Sequence, residues 1–330
     1  MEAYIRSVGS YVPPRRMSNH ELAEFVDTSH EWIYSHTGIA YRHIASEDEA
    51  ASDLALPAAR KALEAADLTA SEIDLVIVAT STPDYIGLPS TACVVQDAIG
   101  ATNAGAMDIM AVCTGFVYAL ETARAFVRSG SARHVLLVGT EVYSKIMDWS
   151  DRNTCVLFGD GAGAVVVSPV ENGGEGGSRI IDSILRSEGS GAGSLLRPCG
   201  GTRKAYLPGQ TPASELALQM DGRKVYVFAV RAIVDTVVEI LERNQLAFDD
   251  VSYFVPHQAN RRIIESAAKR LGISADRFYL NLEEYANTSA ASIPLALDEM
   301  NTKGLLHRGD TIVTIGFGAG LTYGANLLVW

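Results

Sequence analysis

Apolar runs of strand length recur along the chain and alternate with amphipathic stretches. IDLVIVATST (73–82), GAMDIMAV (105–112), HVLLVGTE (134–141) and AGAVVVSP (162–169) lie in the first half. VSYFVP (251–256), DTIVTIGF (310–317) and ANLLVW (325–330) lie in the second. A strand apolar on both faces has to be covered on both faces, and in α/β proteins helices do this. The intervening segments fit: Phe116, Leu120, Ala123 and Val127 recur at helical spacing, with Glu121, Arg124 and Arg128 on the opposite face. These patterns predict an α/β fold with substantially parallel pairing.

A weak internal repeat adds architecture. At an offset of 178, ALEAADLTASEIDLVIVA matches ILERNQLAFDDVSYFVPH: Leu63 with Leu241, Glu64 with Glu242, Leu68 with Leu246. Glu72 faces Asp250, Ile73 faces Val251, and VLLVG ending at Gly139 matches IVTIG ending at Gly316. A shared offset favours two related halves, expected at 1–170 and 171–330. The Gly/Ser-rich stretch 171–194 reads as the linker between them, and an active site is expected at their junction.

The net charge of −12 on 330 residues argues against a nucleic-acid footprint and against docking on an anionic membrane. It leaves room for a local basic patch, such as Arg261 and Arg262 with Lys269 and Arg270 beyond them. The start alternates like a strand and lacks an apolar signal core, and no run has the length to span a bilayer. Cys93, Cys113, Cys155 and Cys199 are widely spaced without a CxxC, so neither a disulfide framework nor a metal site is indicated. The expectation is a soluble, reduced, cytoplasmic protein.

Three segments carry residues able to do chemistry. Cys113 ends the apolar run DIMAV and precedes a helical pattern that stops near Gly130. On such a turn the helix N-terminus favours thiolate and would lower the thiol pKa. Gly115 permits close approach of a substrate or a second backbone. A buried structural cysteine is the alternative. His257 follows Pro256, which helps end a strand, and a helix pattern begins near Asn260 and buries Ile263, Ile264, Ala267, Ala268 and Leu271. The site lies where ligands bind in open sheets; a satisfied core histidine is equally compatible. Asn287 opens NTSAAS before the helix IPLALDEM and by itself reads as an N-cap. Two glycine runs, GDGAGA (159–164) and GFGAGLTYG (316–324), lack GxGxxG spacing before a helix. They fit strand crowding, or, for the second, a backbone N–H donating to a substrate oxygen.

Together these segments resemble the β-ketoacyl-acyl-carrier-protein synthase III family, thiolase-fold condensing enzymes that initiate type II fatty-acid synthesis. The resemblance runs nearly end to end, through GSYVP (9–13), DTSHEWIYSHTGI (27–39), CTGFVYAL (113–120), DRNT (151–154) and FGDGAGA (158–164). It continues through MDGRKVY (220–226), VPHQANRRII (255–264), NTSAASIPLALDE (287–299) and GFGAGLTYG (316–324).

The resemblance implies two βαβαβ-type halves packed as five layers (αβαβα), a homodimer, and a ping-pong acyltransferase. Cys113 would take an acyl group from acyl-CoA, its N–H and that of Ala319 forming an oxyanion hole. Ala319 stands where the family usually has glycine. His257 and Asn287 would stabilise the enolate left when malonyl-acyl-carrier protein loses CO₂, both as neutral donors. No cofactor is implied, since acyl-CoA and malonyl-acyl-carrier protein are substrates. Trp32 and Arg152 would sandwich the CoA adenine, Thr28, Thr37, Gly222 and Asn260 would line the pantetheine tunnel, and Arg261 and Arg262 would meet the carrier protein. Two departures stand out. His36 replaces the family's usual arginine, and Leu88 replaces the phenylalanine of short-chain enzymes at a position that reaches the partner's acyl pocket. The leucine implies primers longer than acetyl. A paralogue that starts a polyketide or moves acyl groups in specialised metabolism stays open as an alternative. A non-catalytic thiolase-fold partner is disfavoured by the intact Cys, His and Asn.

Overall fold

A computed structural model describes residues 1–171 and 175–330. The first sheet has five strands in the order Ala3–Tyr11, Gly161–Pro169, Val135–Glu141, Leu75–Ala79, Gly105–Ile109. The second has four, in the order Tyr253–Pro256, Thr311–Gly318, Thr322–Val329, Arg179–Ser187. Each apolar run of the sequence holds or overlaps one of these strands.

The pairing corrects the expectation of mainly parallel sheets. Leu75–Ala79 is parallel to both its neighbours, and Tyr253–Pro256 is parallel to Thr311–Gly318. The other four pairs are antiparallel. Residues 319–321 alone join the two C-terminal strands, far too few for a crossover, so that pair closes as a hairpin. A second correction concerns the supposed linker. Arg179–Ser187 is an edge strand paired along Thr322–Val329, so glycine-rich composition marks only its flanks; residues 172–174 of that stretch lie outside the described residues.

Strand alternation builds the layers. Ile77, Ala79, Val135, Leu137 and Val165 of the first sheet, with Val255, Ile312 and Leu328 of the second, face a shared central layer. That layer consists of the helices Gly115–Ser129 and Ser292–Thr302, which bury Phe116, Leu120, Ala123, Val127, Ile293, Ala296, Leu297 and Met300. The intervening residues Val76, Val78, Leu136, Val138 and Val166 point outward onto the helices Ala51–Ala65 and Thr91–Ile99. Val313, Ile315, Ala325 and Leu327 do the same toward Gly222–Arg243 and Arg261–Leu271. The result is five layers, αβαβα. Arg124, read as polar-face, is largely covered instead: its Nε and Nη2 donate to the carbonyls of Ile180 and Ile181 at 3.0 and 2.8 Å. Among the described residues no helix is long and apolar enough to cross a membrane.

The offset of 178 carries into the backbone. Asp67 and Gln245, equivalent at that offset, take positive φ of 52° and 56° just after a helix. Each is followed by a single 3₁₀ turn, Ala70–Glu72 and Phe248–Asp250. Glu72 and Asp250 accept from the N–H of Thr69 and Ala247 at 2.9 and 2.7 Å, and a parallel-paired strand begins at Leu75 and at Tyr253.

Where the halves meet, glycine is obligatory. A Cβ on Gly139 would sit 2.4 Å from the carbonyl oxygen of Ala290, a distance no real contact tolerates. Gly139→Ala therefore forces the backbone of 290–291 off the first sheet, with an expected loss of about 1–3 kcal/mol. Urea unfolding checks this; an unchanged midpoint would show that the interface has slack.

Candidate active site

Cys113 sits in the 3₁₀ turn Val112–Thr114, between the strand Gly105–Ile109 and the helix Gly115–Ser129. Val112 holds a φ of 47°, a conformation costly for a β-branched residue and commonly found where function requires it. The hairpin from the other half presses on the thiol: a Cβ on Gly318 would lie 2.7 Å from the Cβ of Cys113 and 3.3 Å from its sulfur. The side chain is nearly sealed from solvent, and burial pushes the thiol up to about 12. This overturns the expected lowering. Desolvation of a thiolate outweighs both the helix N-terminus and the hydrogen bond from the Ser289 side chain, while the charge of Glu141 raises the value further.

His257 lies one residue beyond the strand Tyr253–Pro256, and its N–H donates to the Ile315 carbonyl at 2.7 Å. Its ring packs edge-on against Phe317, with centroids 5.3 Å apart. Nδ1 is 2.7 Å from the Ser292 hydroxyl. Burial depresses the imidazole to about 3, so it is neutral at physiological pH.

Asn287 is not the N-cap of the helix that follows. That helix starts at Ser292, and Asn287 precedes the 3₁₀ turn Ser289–Ala291. Its Oδ1 accepts from the Ser289 N–H at 2.9 Å, an Asx-type turn. Its backbone is clamped to the Leu157 carbonyl and the Gly159 N–H. With the carbonyl end of the carboxamide tied down, Nδ2 is the end left without a partner among the described residues. Strain gathers here too: Ala286 and Ser289 have φ of 56° and 49°.

Cys113, His257 and Asn287 line a single cavity of about 480 Å³, with Ala319, Gly222 and Asn260 also on its wall. Asn260 caps the helix Arg261–Leu271 through Oδ1 and donates from Nδ2 to the His36 carbonyl at 3.1 Å. The other residues singled out in the sequence lie off this wall. Thr37 is buried, donating to the Ile33 carbonyl and accepting from the Ile39 N–H, so its hydroxyl is consumed locally. Thr28 is different, with a buried hydroxyl that lacks a partner among the described residues. Arg152 lies over the Trp32 ring at 4.9 Å, while His36 stacks on Trp32 at 4.5 Å. Arg261 is engaged by Tyr34 and Glu283, and Arg262 donates to the Ser35 carbonyl. Leu88 is 82% exposed and lies off its own chain's cavity.

Sequence reasoning missed Glu141, Ser289 and Ser292, all buried beside the site. The signal for Glu141 was a lone acid closing the apolar run VLLVGTE; the two serines were visible only as small residues in NTSAAS.

Models of the 3-oxoacyl-[acyl-carrier-protein] synthase III family match residues 107–189 and, for its C-terminal part, 241–330. The β-ketoacyl-[acyl-carrier-protein] synthase III of Clostridium acetobutylicum is 50% identical, over 99% of this chain and 98% of the relative. The crystal structure of the synthase III from Thermus thermophilus superposes with a TM-score of 0.91 at 44% identity, covering 99% and 98% of the two chains. The priming β-ketosynthase of the R1128 polyketide pathway superposes at 0.89 with 38% identity, covering 99% and 96%. A match of this extent, over both sheets and the whole cavity wall, has one meaning: the chain belongs to the β-ketoacyl-[acyl-carrier-protein] synthase III family of thiolase-fold condensing enzymes.

Proposed function

We propose that this acyltransferase joins an acyl-CoA primer to malonyl-acyl-carrier protein by decarboxylative condensation, with Cys113 as the acyl carrier and His257 and Asn287 as the donors that hold the enolate oxygen. The convergence of those three side chains on one cavity carries the reading. In the first half-reaction the sulfur of Cys113 displaces CoA from the acyl group, and the N–H groups of Cys113 and Ala319 receive the carbonyl oxygen. In the second, malonyl-acyl-carrier protein enters, CO₂ departs, and the enolate carbon attacks the acyl-cysteine.

The hydrogen bonding supports a donor role for Asn287, whose Oδ1 is taken up by the Ser289 N–H. The Ser292 hydroxyl donates to the Ser289 carbonyl at 2.8 Å, and its oxygen accepts from the Gln258 N–H at 3.4 Å. With Nδ1 of His257 facing Ser292, a donor role toward substrate requires the ring proton on Nε2. Two neutral donors in a desolvated pocket suit an oxygen that gains negative charge. Around the mouth, Trp32 with Arg152 offers a flat platform for a base, and the orphan Thr28 hydroxyl, Gly222 and Asn260 a path for pantetheine. Arg261 and Arg262 are the proposed carrier-protein contacts.

A second copy of the chain is part of the proposal. Tyr85, Ile86, Leu88 and Met110 are exposed apolar residues on one loop and beside one strand end, and covering them would bring Leu88 to a neighbour's pocket. Leucine at position 88 in place of the phenylalanine of short-chain enzymes favours primers beyond acetyl, and the likeness to a polyketide-priming synthase supports a starter role in specialised metabolism as a second reading of the same chemistry. Leu88→Phe is then expected to move kcat/KM toward acetyl-CoA within a panel of acetyl-, butyryl-, isobutyryl- and hexanoyl-CoA; an unchanged ranking would refute the role of Leu88.

Intact-protein mass spectrometry tests the division of labour. Wild type incubated with acyl-CoA is expected to carry one acyl adduct on Cys113, and Cys113→Ser none. Asn287→Ala and His257→Ala are expected to retain the adduct while condensation falls about 10²–10³-fold. Loss of acylation in Asn287→Ala, or an adduct on Cys93, Cys155 or Cys199, would reject it.

The neutral imidazole also has a thermodynamic signature. Its folded pKa of about 3 lies below the unfolded value of about 6.5. The stabilisation is complete above pH 6.5 and is lost as pH falls toward 3, because only the unfolded chain takes up the proton. Between pH 7.5 and pH 5 the stability advantage of wild type over His257→Gln should shrink by about 2 kcal/mol in urea unfolding. Parallel curves would mean that the ring is charged or solvated.

A further inference from the structure

Trp32 and His36 stand one turn apart on the helix His30–Thr37, where side chains four residues apart meet, and their rings stack. The centroids are 4.5 Å apart and the planes are inclined by 21°. The imidazole is tied down as well as stacked. Its Nδ1 lies 2.7 Å from the Trp32 carbonyl, which can only accept, so Nδ1 carries a proton. Ser35 Oγ donates to the same carbonyl and sits 3.2 Å from Nδ1. This turn is fastened to the helix Arg261–Leu271. Asn260 Nδ2 donates to the His36 carbonyl at 3.1 Å, and Arg262 Nε donates to the Ser35 carbonyl at 2.9 Å. The same indole has a second neighbour: the guanidinium carbon of Arg152 lies 4.9 Å from the ring centre, and Arg152 Nη1 donates to the Asp27 carbonyl at 2.9 Å.

A base held between the indole and the guanidinium needs about 7 Å, two contact distances of about 3.5 Å each. Arg152 therefore has to withdraw and give up the Asp27 carbonyl before a base can enter, while the imidazole already fills a stacking position on the same ring. Phosphates gain nothing fixed from His36 either. An imidazole is no permanent cation, and a neutral ring protonated on Nδ1 has only a lone pair at Nε2. We propose that His36 is a specificity residue for the acyl donor: by stacking on Trp32 it takes recognition away from the nucleotide end of CoA. The enzyme then reads the acyl group and its pantetheine arm, and it discriminates weakly between acyl-CoA and an acyl thioester of pantetheine alone. The inference rests on the acyl-CoA reading above, with Trp32 at the nucleotide end. His36 is not on the wall of the cavity that holds Cys113, so its effect belongs to donor binding and not to the chemistry at sulfur.

Acylation of Cys113 by butyryl-CoA and by S-butyryl-pantetheine is followed by rapid quench and mass spectrometry over a range of donor concentrations. Each donor yields a limiting rate and a half-saturating concentration, and wild type is compared with His36→Arg. In wild type the ratio of rate to half-saturation should favour butyryl-CoA by less than about tenfold, a nucleotide contribution below about 1.4 kcal/mol. His36→Arg replaces the stacked ring by a permanent cation. It should lower the half-saturating butyryl-CoA concentration about tenfold through a charge-assisted contact to phosphate. The limiting rate, and both constants for butyryl-pantetheine, should stay as in wild type. A wild type that favours butyryl-CoA by more than about tenfold, or a variant with the wild-type preference, overturns the inference. If His36→Arg does not fold, the wild-type ratio decides alone. Adducts from both donors with a steep preference for CoA reject the inference and leave the acyl-cysteine reading standing. No adduct on Cys113 from either donor rejects that reading, and the inference with it.

Discussion

The site depends on a steric contact between backbones. The segment 287–292 lies directly on the first sheet, with the Ala290 carbonyl over Gly139 and the Ala290 methyl against Gly115. The hairpin of the second sheet lies as closely on Cys113 through Gly318. Because no side chain separates these surfaces, a cysteine from the first half and a histidine and asparagine from the second face one cavity. The strained residues Val112, Ala286 and Ser289 flank these contacts, so the packing of five layers holds the turns that carry Cys113 and Asn287 in conformations they would not choose alone.

That closeness sets the electrostatics. Excluding water from the junction disfavours every charge in it, and the same cause drives the thiol and the Glu141 carboxylate upward and the imidazole downward. The thiol and the imidazole of the resting site are accordingly neutral. Such a site stores little reorganisation to be undone when an oxyanion forms, which is where fixed donors act most strongly. It makes thiol deprotonation the harder step.

Much of the architecture was legible from periodicity, because strands apolar on both faces admit few arrangements. The repeat at offset 178 was real in the backbone, down to the paired positive φ at Asp67 and Gln245. What escaped was set by tertiary contact. The strand Arg179–Ser187 hid between glycine-rich flanks, and its pairing depends on a partner more than a hundred residues away. The antiparallel pairs followed from a connection length that apolar patterning does not reveal. At the site, position in a turn located Cys113 and His257, but the thiol's acidity was misjudged. A helix N-terminus is a local property readable from sequence, whereas desolvation is supplied by segments elsewhere in the chain. Asn287 was read as a helix cap because its side chain does make a local turn, only one turn too early.

The central claim is that burial leaves His257 neutral and that its proposed donor role places the ring proton on Nε2. Nitrogen-15 NMR of the protein with labelled histidines, the His257 signals assigned by loss in His257→Gln, tests it most directly. The account predicts a ring that is neutral from pH 8 down to pH 5 and carries its proton on Nε2, while solvent-exposed histidines titrate across that range. A His257 signal that titrates near 6.5, or a proton on Nδ1 throughout, would contradict it.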